Sequence, residues 1–530
     1  MSETPWWQRG VIYQVYPRSF QDSNGDGVGD LRGITSRLDY LRWLGVDAIW
    51  VSPFYPSPMA DFGYDVTDHR AVDPVFGSLA DFDRLLAEAH ARGIRVVLDF
   101  IPNHTSHRHP WFVESRASRH DRRRDWYVWR DPAPDGGPPN NWLSAFGGSA
   151  WEWDAPTQQY YLHTFLCEQP DLNWRNPAVE GEMLDVIRFW MRRGADGLRV
   201  DAVQNLAKDP DFRDNPPNPA YVEGVDDPFD RLLRVHSADH PDVHRLIARM
   251  REVTDAFPER VLIGEIYNTP DRCMAYYGEQ GRGVHFPYNF QLIRLPWDAR
   301  AIDAAVRGYE ALLPPGAWPN WVLGNHDRHR IASRVGAAQA RVAAMLLLTL
   351  RGTPTLYYGD EIGMADVPIP PERVRDPWER NLPGRGLGRD PERTPMQWSA
   401  EPAAGFTSGE PWLPLADDYA SVNVAAQRAD PSSLLTLHRR LLALRRAESA
   451  LSLGDWSPID AEGAVLAYLR THGDARFLVA LNLRDAPAAL EPHLARGRVE
   501  LSTHPDREGD QVHGRVELRG DEGVVVRLEG

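Results

Sequence analysis

Residues 79–100 read Leu-Ala-Asp-Phe-Asp-Arg-Leu-Leu-Ala-Glu-Ala-His-Ala-Arg-Gly-Ile-Arg-Val-Val-Leu-Asp-Phe. The first part, Leu79–Arg92, reads as an amphipathic helix, and Ile94–Phe100 is a short apolar run of strand character. Working outward toward the N-terminus, Val46–Ser52 reads as another strand. Before it, Leu31–Leu44 places Leu31, Ile34, Leu38, Leu41 and Leu44 near one helical face, and Val11–Tyr16 reads as the first strand. Strand, helix, strand, helix, strand is the signature of a parallel sheet, because each crossover must return the chain to the same edge before the next strand.

Toward the C-terminus the alternation stops after Pro102. Residues 104–174 are rich in Trp, Pro, Gly, Asn and Arg. A stretch of that length is unlike a bare loop and reads as an inserted subdomain. Helix returns at Ala178–Arg193 and strand at Gly197–Val200, followed by a polar, Pro-rich excursion over Lys208–Pro241. Further strands are predicted at Val261–Ile266, Val284–Tyr288, Trp318–Leu323 and Thr353–Tyr358, eight in all, enough to close a (β/α)8 barrel. A Pro/Gly/Arg-rich stretch spans about 363–430, with a helix at Leu434–Arg445. Beyond Leu453 the strands Ala464–Arg470, Arg476–Leu483, Val499–Ser502 and Gly523–Leu528 have few helices between them. The expected division is a barrel in two parts, 1–103 and 175–450, an inserted subdomain, 104–174, and a C-terminal antiparallel β domain, 451–530.

Bulk properties narrow the function. Of 530 residues, 42% are hydrophobic and 25% charged, and the net charge is −16. A surface this acidic argues against nucleic acid, which needs clustered Lys and Arg. The first residues show no basic segment followed by an apolar one, so no secretory signal is expected. The apolar run Val342–Leu350 is too short to span a bilayer and reads as a buried helix. Two cysteines, Cys167 and Cys273, make no disulfide framework in a chain this long. A cytoplasmic protein, a monomer or a small homo-oligomer without a membrane partner, is the expectation. The 19 Trp tilt mildly toward binding the apolar faces of sugar rings.

In a (β/α)8 barrel, chemistry sits at the C-terminal ends of the strands. Four of those ends carry charged or imidazole groups: Asp99 with Asn103-His104, Arg199 with Asp201, Glu265, and His326-Asp327. One acidic strand end would be an ordinary helix cap. Four converging on one barrel mouth are hard to explain that way.

The segments Asp99-Phe-Ile-Pro-Asn-His104, Gly197-Leu-Arg-Val-Asp201, Gly264-Glu265 and Asn325-His-Asp327 resemble, in order, the four signatures of the α-amylase family, glycoside hydrolase family 13. Gln169-Pro-Asp-Leu-Asn173 and Gly352-Thr-Pro-Thr-Leu-Tyr-Tyr-Gly359 agree with it. Within that family the chain is most similar to oligo-1,6-glucosidases and exo-acting α-glucosidases. The likeness lies in Ile12-Tyr-Gln-Val-Tyr-Pro-Arg-Ser-Phe20, Asp61-Phe-Gly-Tyr64-Asp and Arg393-Thr-Pro-Met-Gln-Trp398. The resemblance implies a retaining α-glucosidase with Asp201 as nucleophile, Glu265 as acid/base and Asp327 gripping sugar hydroxyls.

It further implies that His104 and His326 contact hydroxyls, that Tyr64 stacks under the glucose with Phe165 beside it, and that Asp61 and Arg393 form an ion pair closing the pocket at the nonreducing end. Arg199, two residues before Asp201, points the same way along its strand. It should keep the Asp201 carboxylate ionised, whereas Glu265 should have less cationic company and a raised pKa.

Asp22-Ser-Asn-Gly-Asp-Gly-Val-Gly-Asp30 places oxygen ligands at alternate positions: Asp22, Asn24, Asp26, the Val28 carbonyl and Asp30. The loop resembles the first part of an EF-hand, with Gly27 at the sharp turn but Gly33 where the twelfth-position Glu would stand. A structural Ca2+ or Mg2+ is expected, with no organic cofactor. Ala202 follows the nucleophile; a Val there accompanies α-1,6 cleavage in similar enzymes, so a small α-1,4-glucoside of the maltose type is the expected substrate. The 208–241 excursion follows the nucleophile strand and could roof the aglycone side, restricting substrates to short ones. A glucosyltransferase or trehalose synthase-like isomerase would use the same carboxylates. A trehalose-6-phosphate hydrolase would add a cationic phosphate pocket, which the sequence does not locate. A noncatalytic transporter-accessory protein of this fold would lack the carboxylates.

Overall fold

The computed structural model describes residues 4–491 and 496–529. The first three residues of the N-terminal segment read above lie outside the described residues. Eight parallel strands form one sheet: Ile12–Val15, Ala48–Val51, Arg95–Phe100, Gly197–Val200, Val261–Glu265, Phe286–Tyr288, Asn320–Val322 and Thr353–Tyr357. Except for the sixth and seventh, strands successive in sequence are neighbours in the sheet, and the eighth strand pairs back onto the first, Ile12 opposite Thr355. Sixth and seventh strands flank the seam of this nearly closed barrel, where the Asn289 amide reaches the Asn320 side-chain oxygen at 3.4 Å. This is the (β/α)8 architecture expected from the alternation, and every strand falls within its expected stretch.

The helices show why the periodicity was readable. Leu79–Ala91 begins at Ser78, whose side chain and Asp81 form a reciprocal capping box, and it buries Phe82, Leu85, Leu86 and Ala89. Pro177–Arg193 is capped by Asn176 and ends at Gly194 in the left-handed conformation. The single helix expected over Leu31–Leu44 is instead two, Leu31–Ser36 and Leu38–Leu44, broken at Arg37. Thr35 Oγ1 donates to the Leu31 carbonyl at 2.8 Å and Ser36 Oγ to that of Gly33 at 2.7 Å. These hydroxyls compete with the backbone ladder, which leucine spacing does not reveal.

The stretch between third and fourth strands holds a helix, Pro110–Ala117, and a three-stranded antiparallel sheet in which Gln159–Leu162 lies between Trp129–Arg130 and Trp151–Asp154. The 208–241 excursion is tied to it: Trp142 Nε1 donates to the Arg213 carbonyl at 2.8 Å and Asn141 Nδ2 to that of Asn215 at 2.9 Å. At the other end, a six-stranded antiparallel sheet has Val465–His472, Ala475–Asn482 and Gly523–Leu528 at its centre. It packs on the apolar helix Ile331–Thr349, whose second half is buried within the protein. Buried Arg445 donates to the carbonyls of Leu348 and Leu350 where that helix ends, satisfying groups left without helical partners. Cys167 and Cys273 are free thiols.

Candidate active site

The third and fourth strands pair Asp99 opposite Arg199, so their side chains share the barrel interior; Asp201, two residues on, follows. The Arg199 guanidinium is 1% exposed and lies 5.0 Å from the Trp50 ring centroid. Its Nη1 donates to Asp99 at 2.8 Å and to Asp201 at 2.7 Å, and its Nη2 contacts Glu265. Gly197 at the start of this strand allows the close approach: a Cβ there would stand 2.6 Å from the Val261 carbonyl oxygen.

One cation therefore faces three buried acids. Burial pushes the Asp201 carboxyl well above the usual range; Glu265 and Asp99 add to this, and Arg199 opposes it. Burial likewise raises Asp99 to about 6 against the pull of Arg199. The expectation that Arg199 holds Asp201 low, with Glu265 apart from cations, is thus corrected. The guanidinium is shared among Asp99, Asp201 and Glu265, so its pull on Asp201 is opposed by the two neighbouring carboxyls.

Ala202 adopts φ 46°, a left-handed conformation uncommon outside glycine, and its N–H donates to Glu265 Oε2 at 2.9 Å. The residue after Asp201 thereby fixes Glu265.

The groups around Asp99 are held by hydrogen bonds that leave little freedom. Tyr64 Oη donates to Asp99 Oδ2 at 3.0 Å and lies 2.7 Å from His326 Nε2. Gln14 Nε2 lies 2.8 Å from His326 Nδ1. The amide nitrogen of Gln14 can only donate, so Nδ1 accepts and Nε2 carries the hydrogen; burial keeps the ring neutral by holding its pKa well below normal. Tyr64 and His326 stack, centroids 5.4 Å apart and rings 3° from parallel. His104, which burial lowers to about 4, bonds the Tyr64 carbonyl at 3.1 Å and lies beside Phe165, ring centroids 5.1 Å apart. Burial opposes ionisation of Asp327, yet Arg389 and Arg393 hold its carboxyl well below the usual range.

The expected Asp61–Arg393 pair does not form. Asp61 accepts from Arg389 Nη2 at 2.7 Å. Arg393, fully buried, spends its guanidinium on Asp327 at 2.9 Å and on the His326 carbonyl at 2.7 Å. Arg393 ends the short turn Pro391–Arg393 and reaches His326 and Asp327 beyond the seventh strand, while Arg389, before that turn, faces Asp61. The ion pair with Asp61 is made by Arg389 instead, which also holds Asp376 at 2.7 Å.

Arg389 and Gln169 are the residues the sequence reading missed. Gln169 Nε2 reaches Asp61 at 3.2 Å and His104 at 3.1 Å. It opens a quoted signature and was readable there. Arg389, four residues before a quoted arginine, carried no distinguishing signal.

The cavity above these groups, about 1010 Å³ including its open mouth, is lined by Asp61, Tyr64, His104, Phe165, Asp201, Glu265, His326, Asp327 and Arg389. Its outer wall adds Phe229 and Arg234 from the 208–241 excursion, with Tyr267, Arg294, Arg328 and Trp378. Tyr267 stacks on Phe290 at 4.1 Å.

Residues 14–454 match the family described as alpha amylase, catalytic domain. The chain belongs to the α-amylase family. Among curated relatives of this glycoside hydrolase is a probable α-glucosidase of Rhizobium meliloti, 44% identical over 93% of this chain and 92% of that one. Trehalose-6-phosphate hydrolase of Escherichia coli is 39% identical over 98% of both. Among solved structures, an α-glucosyl transfer enzyme superposes with a TM-score of 0.95 at 43% identity, covering 99% of this α-amylase-family chain and 100% of the other.

Away from the cavity, the loop after the first strand turns back on its own backbone. Asp22 accepts from the amides of Asn24, Gly25 and Gly27; Asn24 accepts from Asp26, and Asp26 from Val28. Asp30 accepts from Ser23 and caps the next helix at Gly33.

Proposed function

We propose that this protein is a retaining α-glucosidase that removes glucose from the nonreducing end of short α-glucosides, with α-1,4 linkage preferred. The observation that carries the reading is Arg199 in contact with both Asp201 and Glu265. Reach to one planar group keeps the two carboxyls close, as a retaining pair at about 5–5.5 Å requires. Asp201 attacks the anomeric carbon while Glu265 protonates the departing oxygen, giving a covalent glucosyl-enzyme; Glu265 then takes a proton from the attacking water. Asp327, fixed by Arg389 and Arg393, holds sugar hydroxyls with His104 and His326, while Tyr64 and Phe165 bound the ring. The Asp61–Arg389 pair closes the far end and turns a cleft into a blind pocket, which supports exo action.

Ala202, small and beside the nucleophile, supports the α-1,4 preference. The excursion residues Phe229 and Arg234 narrow the aglycone side and support short substrates. The oxygen-only donor set of Asp22, Asn24, Asp26, Val28 and Asp30 suits a hard cation, and a structural Ca2+ or Mg2+ is proposed there. Two unpaired thiols suit a reducing compartment, and the cytoplasm is the proposed location.

A second reading follows from Arg234, Arg294 and Arg328 on the outer wall, which could receive a phosphate on the aglycone. Maltose, isomaltose, sucrose, trehalose and trehalose 6-phosphate, incubated separately with Asp201→Asn as blank, test both readings. Glucose released fastest from maltose supports the first; trehalose 6-phosphate as the better substrate replaces it. Isomaltose as the better substrate removes the Ala202 argument, and transfer products outweighing glucose make the protein a transferase.

A further inference from the structure

Behind the sugar pocket, three segments bring His329, Asp366 and Glu392 together. One ligand atom from each lies within 4.8 Å of the others. We propose that they form a binding site for a divalent transition cation of the Zn2+ type, separate from the loop at Asp22–Asp30.

The donor nearest the interior argues for a ligand. Glu392 is only 2% exposed, and its Oε2 has no hydrogen-bond partner among the described residues. A buried, unsatisfied carboxylate oxygen is costly, and a coordinated cation removes the cost. The other two donors are held in place. Asp366 accepts from the Arg330 amide at 2.9 Å, its own amide donates to Ser333 Oγ at 2.7 Å, and its Oδ2 lies 2.8 Å from His329 Nδ1. His329, with its side chain 57% exposed, gives an ion access from solvent.

Donor chemistry selects the ion. One imidazole with two carboxylates suits Zn2+, Co2+ or Mn2+, leaving a position for water, whereas Ca2+ and Mg2+ favour all-oxygen sets. An ion there would tie the segment after the seventh strand to the turn that carries Arg393. It would stiffen the frame behind Asp327 without touching substrate.

The test is titration calorimetry of chelator-stripped protein with Zn2+, in buffer with excess Ca2+ to occupy the all-oxygen loop. His329→Ala, Glu392→Gln and the unaltered protein are compared, with circular dichroism confirming the fold. The expected result is one Zn2+ taken up by the unaltered protein and binding weakened at least about tenfold in each variant. Added Zn2+ should raise the melting temperature of the unaltered protein only. No Zn2+ uptake, or equal uptake by His329→Ala, overturns the proposal. If Glu392→Gln fails to fold, the exposed His329→Ala decides it alone.

Discussion

Arg389 donates to Asp61 at 2.7 Å and, with the same Nη2, to Asp376 at 2.7 Å. Both acids are buried, so removing the guanidinium strands two carboxylates. Arg389→Ala is expected to destabilise the protein by about 3–5 kcal/mol, the cost of breaking a buried pair by removing one partner. Urea unfolding measures this. The same variant should lose kcat/KM by at least about tenfold through a pocket open at its far end.

Asp201→Asn and Glu265→Gln should fail differently. The first removes the nucleophile and should abolish turnover of every substrate. The second removes the proton donor, expected to cost about 10²–10⁴-fold on maltose. With a 4-nitrophenyl glucoside, whose leaving group needs little protonation, glucosyl-enzyme formation should be nearly spared, leaving a burst of nitrophenol followed by slow turnover. Rapid-mixing absorbance distinguishes the two variants.

Tyr64 places one hydroxyl between Asp99 and His326. In Tyr64→Phe both groups lose a partner in a buried site, so a stability loss of about 1–3 kcal/mol is expected. His326 also loses the contact that orients it, so KM should rise. Differential scanning calorimetry and initial rates check the two halves.

His109 caps the helix Pro110–Ala117 by accepting from the Trp111 amide at 3.1 Å. Burial, with His69 and Arg123 nearby, lowers its pKa to about 2. The unfolded chain takes up this proton near pH 6.5 and the folded chain does not, so this contribution to stability is lost as pH falls from there. Asn also caps a helix but does not titrate. His109→Asn should flatten the acid loss between pH 6 and pH 4 by up to about 1.4 kcal/mol per pH unit, read from unfolding curves at several pH values.

The barrel was legible because each strand is a short apolar run and each catalytic group ends one. Asp201 and Glu265 could be placed on the mouth from order alone. What the sequence hid were choices among like residues. Arg389 and Arg393 sit in the same stretch, and only the turn Pro391–Arg393 decides which faces Asp61. The sharing of Arg199 was hidden for another reason: it stands two residues from one acid, but its other two partners arrive from the third and fifth strands. Spacing along a chain shows neighbours on a strand and not how many acids divide one cation.

The pairing of Asp61 with Arg389 spans 328 residues. During synthesis the first of the two leaves the ribosome long before the second exists. A chain that already holds all eight strands, the last ending at Tyr357, but not yet Arg389 therefore lacks the blind end. Appearance of activity should thus lag completion of the barrel, and a nascent-chain assay on truncations ending between residues 357 and 389, and beyond 389, would separate barrel closure from closure of the pocket.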